Sequence, residues 1–284
     1  MRYLKWTMML LGLVAGLASC RDREPDMTLV QGTWYQDYYI KGVHSYDAWN
    51  ITVVKDDGPS FVELEYSAFL EDLLRIEYKD GTIIFNLSQH SHLPYNTVLN
   101  ATVHTNVLED LNLQKAATAT LVGDFQSQIH GINVWMAEGS SCKGGSFTGA
   151  AVLSIIEGSQ MVDFNFDGST CFVLVDNAVF KGTLTASDEL DISLPAEGRL
   201  TTYGGSARVV GAIVNNHSSL NILETEVEQM EIKSKASEAF VNVNQYIGGS
   251  LNDTSTLYYQ PHPGLELNVN FDETSHLSPL NSKF

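Results

Sequence analysis

The sequence predicts an all-β protein: a β-solenoid with short rungs of about 20 residues and an N-terminal β cap. Three observations carry this. Apolar anchors recur at Leu113, Val134, Leu153, Val173, Ile192, Ile213, Ile232 and Leu251, at intervals of 19 to 21 residues. Two positions before each stands an apolar or small residue, from Leu111 to Gly249, and eight positions after it an apolar residue is frequent, with Lys181 and Asn221 as exceptions. The chain holds 22 glycines and only 7 prolines, a composition suited to strands joined by many turns. One such rung cannot bury its apolar edge alone, whereas stacked rungs share a continuous column of Leu, Ile and Val. A β-sandwich also places strands every 8–12 residues and is the competing architecture.

Taken in order, the chain opens with Arg2 and Lys5, an apolar run from Trp6 to Ala18, and Leu17-Ala18-Ser19-Cys20. Positive residues, an apolar stretch and small residues at a cut are the order of a secretory signal. The run is shorter than the roughly 20 residues that span a bilayer. Small residues before a cysteine resemble a lipobox, so residues 1–19 are expected to leave as a signal peptide and Cys20 to become a lipidated N-terminus. Several acyl chains anchor stably where one binds only marginally. Residue 21 is Arg, so the aspartate that marks inner-membrane retention in some bacteria is absent. The expected location is the cell envelope, as an outer-membrane, surface-exposed lipoprotein joined to the membrane through Cys20. Residues 20–26 are charged and read as a solvated tether.

Residues 27–107 form the cap region. Its aromatic cluster, Trp34, Tyr35, Tyr38, Tyr39, Tyr46 and Trp49, has two readings: a cover for the open end of a solenoid, or a sugar-stacking platform in which Trp34, Tyr35, Tyr38 and Tyr39 touch a ligand. Phe61 to Tyr66 alternates as a half-buried strand does, and Ser67 to Asp72 has room for one helical turn. Leu73 to Tyr78 and Thr82 to Phe85 flank Lys79-Asp80-Gly81, a hairpin signal because glycine accepts the positive φ of a tight turn. The solenoid is expected over 108–275, followed by a tail over 276–284.

Removing Arg2 and Lys5 with the leader leaves 14 basic against 34 acidic residues, a formal charge of −20. Such a surface repels nucleic acid, which is excluded as a partner. Two further cysteines, Cys142 and Cys171, can oxidise in an exported protein; the sequence leaves their pairing open.

No pattern specifies catalysis or a cofactor. Asp163-Phe164-Asn165-Phe166-Asp167 places Asp163, Asn165 and Asp167 on one strand face, unless Asp167-Gly168 turns. Two carboxyls about 5–9 Å apart suit a glycosidase, but alternate residues on any strand meet that distance. Asp163 and Asp167 are therefore weak candidates for a cation site, set against a solvated strand face. Lys143 and Lys181, the nearby lysines, form no lyase motif. The G-x-S-x-G elbow is absent, His90-x-His92 lacks a third metal ligand, and Gly139 to Gly149 lacks the Lys-Ser/Thr of a phosphate loop.

Ser45-Tyr46-Asp47-Ala48-Trp49, Val62-Glu63-Leu64-Glu65-Tyr66 and Ile76-Glu77-Tyr78-Lys79-Asp80-Gly81-Thr82 resemble the opening of the autotransporter-adhesin, head GIN domain family. Met230-Glu231-Ile232-Lys233-Ser234, Val241-Asn242-Val243, Leu257-Tyr258-Tyr259 and Pro263-Gly264-Leu265-Glu266-Leu267 resemble its final rungs. The likeness spans roughly residues 44 to 272 and implies a right-handed parallel β-helix in an exported protein of the Bacteroidetes type. The family's Ser-Gly-Ser-Gly turns are replaced here by Lys115-Ala116-Ala117-Thr118, Ala196-Glu197-Gly198-Arg199 and Asn252-Asp253-Thr254-Ser255. The role implied is non-catalytic adhesion, or binding of a glycan or surface protein. A carbohydrate-active β-helix enzyme and a purely structural envelope component are the alternatives.

Overall fold

A computed structural model describes residues 25–35, 38–88, 93–126 and 131–280. Cys20, the signal segment, His90 and His92 lie outside these residues. The strands of the described residues join one sheet wound into stacked coils of about 20 residues, about eight turns in all. The solenoid, not the sandwich, is therefore the architecture. Among the described residues, no helix is long and apolar enough to cross a membrane.

The N-terminal strands are β1 (Leu29–Trp34), β2 (Gly42–Ser45), β3 (Asn50–Lys55), β4 (Phe61–Ser67), β5 (Leu74–Lys79), β6 (Thr82–Leu87), β7 (Leu99–Thr105), β8 (Asp110–Leu113) and β9 (Thr118–Gln126). After β10 (Ile132–Met136) come the long strands β11 (Ser141–Ile156), β12 (Gln160–Asp176), β13 (Val179–Leu194), β14 (Arg199–Asn215), β15 (Ser219–Lys235) and β16 (Glu238–Asn252). The stack ends in β17 (Thr256–Tyr259), β18 (Glu266–Phe271) and β19 (His276–Pro279).

Neighbouring long strands pair in parallel, one coil on the next. Irregular steps such as Val162/Phe164 and Gly168/Thr170 divide β12 into three straight segments, so each coil bends while its hydrogen-bond ladder continues. The interior is built of aligned columns. One runs Leu111, Val134, Leu153, Val173, Ile192, Ala212, Ile232, Gly249, and the next Leu113, Met136, Ile155, Val175, Leu194, Val214, Ser234, Leu251. Ile192, Ile232 and Leu251 are buried, but Leu251 stands in the second column. Phe125, Phe147, Phe164 and Phe180 form an inner ring stack with centroids 5.1–6.1 Å apart. Cys142 and Cys171 are both free thiols. Burial pushes each up to about 12.

One corner of every coil is built alike. The chain turns through left-handed backbone at Lys115 and Ala116, Glu138 and Gly139, Glu157 and Gly158, Asn177, Glu197, Asn216 and His217, Ala236, and Asp253 and Thr254. The small residue that follows points inward. At five of these corners it is a buried serine: Ser140, Ser159, Ser218, Ser237 and Ser255. Ser140 Oγ donates to the Leu113 carbonyl at 3.0 Å and lies 3.2 Å from Ser159 Oγ, and Ser237 Oγ donates to the Val214 carbonyl at 2.6 Å. A buried hydroxyl that caps a neighbouring coil's backbone avoids the penalty of an orphaned polar group. The three sequences that replace the family's Ser-Gly turns lie at these corners.

The N-terminal end departs from simple stacking. β2 and β3 form a coil that pairs in parallel with β6 and β7 on one side and with β8 and β9 on the other. The first coil of the chain thus threads between the second and third. Beyond them lies the cap: β1 and β4 pair antiparallel, β4 runs antiparallel to β7, and β5 runs antiparallel to β6 across the Asp80-Gly81 hairpin. Both turn residues have positive φ, 51° and 85°. A single helical turn, Ala68–Leu70, follows β4.

Candidate functional site

Five strands at the N-terminal end carry a polar–x–polar pair on their outer face: Gln31 and Thr33, Asn50 and Thr52, Glu63 and Glu65, Asn100 and Thr102, and Thr118 and Thr120. Their partners on the other face, such as Ile51, Val53, Val62, Leu64, Ala101 and Val103, are buried, so the period of two sends the polar set outward. Registers of β1, β4, β7, β3 and β9 align these residues into two rows. The first is Gln31, Glu65, Asn100, Asn50, Thr118; the second is Thr33, Glu63, Thr102, Thr52, Thr120. Where the antiparallel cap meets the parallel coils, the face forms a groove of about 560 Å³.

The first row is internally bonded. Gln31 Nε2 donates to Glu65 Oε1 at 2.6 Å and Asn100 Nδ2 to Glu65 Oε2 at 2.9 Å. Asn50 Nδ2 donates to Asn100 Oδ1 at 3.2 Å, and Thr118 Oγ1 to Asn50 Oδ1 at 2.9 Å. Hydrogen bonds from Gln31 and then Asn100 hold the Glu65 carboxyl below the usual carboxylate range. Side chains fixed in this way meet a ligand already oriented.

The aromatic residues Trp34, Tyr35, Tyr38 and Tyr39 lie outside this groove. Trp34 is on the opposite face of β1 from Gln31 and Thr33, with its indole against Gly32. Tyr35 Oη donates to the Ile76 carbonyl at 2.7 Å, and burial raises its phenol above the ordinary value. Tyr38 sits edge-on between Tyr35 and Tyr78, at 5.6 and 4.6 Å, and Tyr78 Oη donates to the Tyr39 carbonyl at 2.8 Å. These contacts fasten the segment before β2 to β5 of the cap. Trp49 separates from them into the core, 5.0 Å from the Phe85 ring. No residue of this cluster lines the groove.

Asp163, Asn165 and Asp167 all face solvent while Phe164 and Phe166 are buried. Asp163, however, is at a bend, with φ 57°, and its carboxylate lies 3.6 Å from Lys143 Nζ. Asp167-Gly168 continues the strand. Among the described residues, no three or more His, Cys, Asp or Glu side chains are grouped to hold a metal ion. A calcium site takes 6–8 oxygen ligands, which this strand does not supply. The double substitution Asp163→Asn, Asp167→Asn is expected to change stability by less than about 0.5 kcal/mol, as surface changes usually do. Millimolar Ca²⁺ should leave the melting temperature of either protein unmoved; a calcium-dependent rise lost in the double variant would show a cation site.

A second outward face carries exposed apolar residues. Val152 and Phe172 are direct cross-strand neighbours on β11 and β12, with Trp135 two residues along on β10. Nearby, His44 Nε2 lies 2.6 Å from Asp110 Oδ2.

Sequence reasoning missed the groove because its rows join residues 31 to 118 through the threaded coil. The alternation of Glu63 and Glu65 was visible, but their neighbours were not.

The profile of a family described as "Putative auto-transporter adhesin, head GIN domain" matches residues 40–263. Among solved structures, the chain is similar to a putative lipid binding protein from Parabacteroides distasonis (TM-score 0.56, 11% identity, covering 90% of this chain and 98% of that one). It is also similar to putative adhesins from Parabacteroides merdae (0.53, 10%, 90% and 98%) and Parabacteroides distasonis (0.51, 14%, 90% and 98%). At these identities the likeness shows the fold. No functionally curated protein matches the chain.

Proposed function

The chain belongs to the auto-transporter adhesin, head GIN domain family, and from that premise we propose that it is a lipid-anchored protein of the cell envelope with a non-catalytic, adhesive role. The groove of β1, β4, β7 and β3 carries this reading: it is a preorganised polar surface on a rigid stack, suited to holding a glycan or a surface protein. Hydrogen bonds from Gln31 and Asn100 lower the pKa of the Glu65 carboxyl, which does not suit Glu65 to the role of general acid, for which a raised pKa is needed. Adhesion is tested by coating beads with the purified protein and measuring their capture by cells. Capture that is absent, or polysaccharide cleaved in solution, would overturn the reading.

The anchor is tested separately. Cys20 supplies the thiol that would be acylated, so Cys20→Ala should abolish labelling by a fatty-acid probe and release the protein from the membrane fraction. A variant that still labels and stays with the membrane would show that Cys20 is not the anchor.

A further inference from the structure

Resting on that reading of the groove, we propose that its ligand is a neutral oligosaccharide bound along the two rows of polar side chains. The lining contains glutamine, asparagine, threonine and glutamate side chains but no lysine, arginine or aromatic residue. Phosphate, uronic acid and nucleic acid would meet Glu63 and Glu65 with no lysine or arginine in the lining and only the His104 imidazole, 3.5 Å from Glu63, beside it, on a chain whose formal charge is −18. An acyl chain would find no apolar wall, since Leu64 and Ala101 in the lining have their side chains buried toward the core. Protein partners are held mainly at aromatic and arginine anchors, which are missing here. A sugar hydroxyl both donates and accepts. It is matched by carboxylates that accept, threonines that do both, and amides with two N–H groups and one carbonyl.

Dimensions agree with this class. Successive strands lie about 4.8 Å apart and the two rows about 7 Å apart, an elongated grid rather than a single pocket. The groove volume of about 560 Å³ is within the roughly 300–1,000 Å³ of small-ligand sites. The hydrogen-bonded row from Gln31 to Thr118 keeps five strands' side chains in place before a ligand arrives, which lowers the ordering cost of binding.

The test is calorimetric titration of the full-length protein in detergent, with and without EDTA. The probes are neutral hexaoses of glucose, mannose and galactose, oligogalacturonate, sialyllactose and palmitate. Binding of at least one neutral hexaose is expected, weakened at least tenfold by Glu65→Ala and by Asn100→Ala at unchanged melting temperature, and unaffected by Phe172→Ala. Should either groove variant unfold, Thr102→Val on the second row replaces it. Binding only of the anionic sugars or palmitate, no neutral hexaose bound, neutral binding that survives the groove variants, or binding abolished by EDTA would overturn the proposal. Capture of a protein through the groove without sugar binding would overturn it too, yet leave the adhesive reading standing. Hydrolysis of a bound hexaose would instead overturn the non-catalytic reading while retaining the ligand class.

Discussion

Ile232→Asp is expected to unfold the solenoid, whereas Ile213→Asp is expected to leave it folded. Ile232 is fully buried between Ala212 and Gly249 of the adjoining coils. An unpaired carboxylate there costs several kcal/mol, against a total stability of about 5–15 kcal/mol for a typical domain. Each coil is held only by its two neighbours, so a disrupted β15 loosens β14 and β16 as well. Ile213 is 46% exposed, and an aspartate there should shift stability by less than about 0.5 kcal/mol. Thermal melts of the two variants by circular dichroism make the comparison. A soluble Ile232→Asp protein melting cooperatively at the wild-type temperature would refute the register of the columns.

Phe164→Ala should destabilise the protein by about 3–5 kcal/mol, the range for deleting a buried aromatic ring. The ring lies 5.1 Å from Phe147, stacked at 21°, and 6.1 Å from Phe180, edge-on at 70°. Its loss leaves a cavity between two coils and removes both ring contacts, each adding about 0.5–1.5 kcal/mol beyond area burial. Phe164→Leu keeps most of the volume and should cost less. Urea unfolding midpoints of the two variants measure the difference. Equal midpoints for both and the wild type would mean that the inner stack contributes nothing to stability.

The contrast between Ile232 and Ile213 also shows how far the sequence could be read. The period near 20 was visible because each coil must repeat its inward residues. Column positions were less exact, since coils differ in length by a few residues. A slip of two keeps the side chain inside, which is why Leu113 and Leu251 are buried although they occupy the neighbouring column. A slip of one reverses the face: Ala212 stands where Ile213 was expected, and Phe180 and Leu220 fill the column beside Lys181 and Asn221. The Asp80-Gly81 hairpin and the turn at Ala68–Leu70 were legible because local chemistry decides them. The serine corners were hidden by interruptions at Ala117, Ala178 and Gly198, where another small residue fills the same place. The groove was not legible, because its side chains become neighbours only through pairings between segments far apart in the sequence.

The threaded first coil sets an order of events for a chain that appears N-terminus first. Gly42–Lys55 is made early but has no lateral partner until β6 and β7 follow, and its second edge stays open until Gln126 has emerged. Contacts of this sequence separation carry a loop-closure cost before they return any stabilisation. From β10 onward each new coil finds its template already laid down by the coil before it. Assembly is therefore non-local at one end and sequential at the other, and the groove belongs to the non-local end. A chain cut short before β9 would lack Thr118 and Thr120 and leave β3 with one bare edge, so the two polar rows and the closure of the N-terminal stack are completed by the same strand.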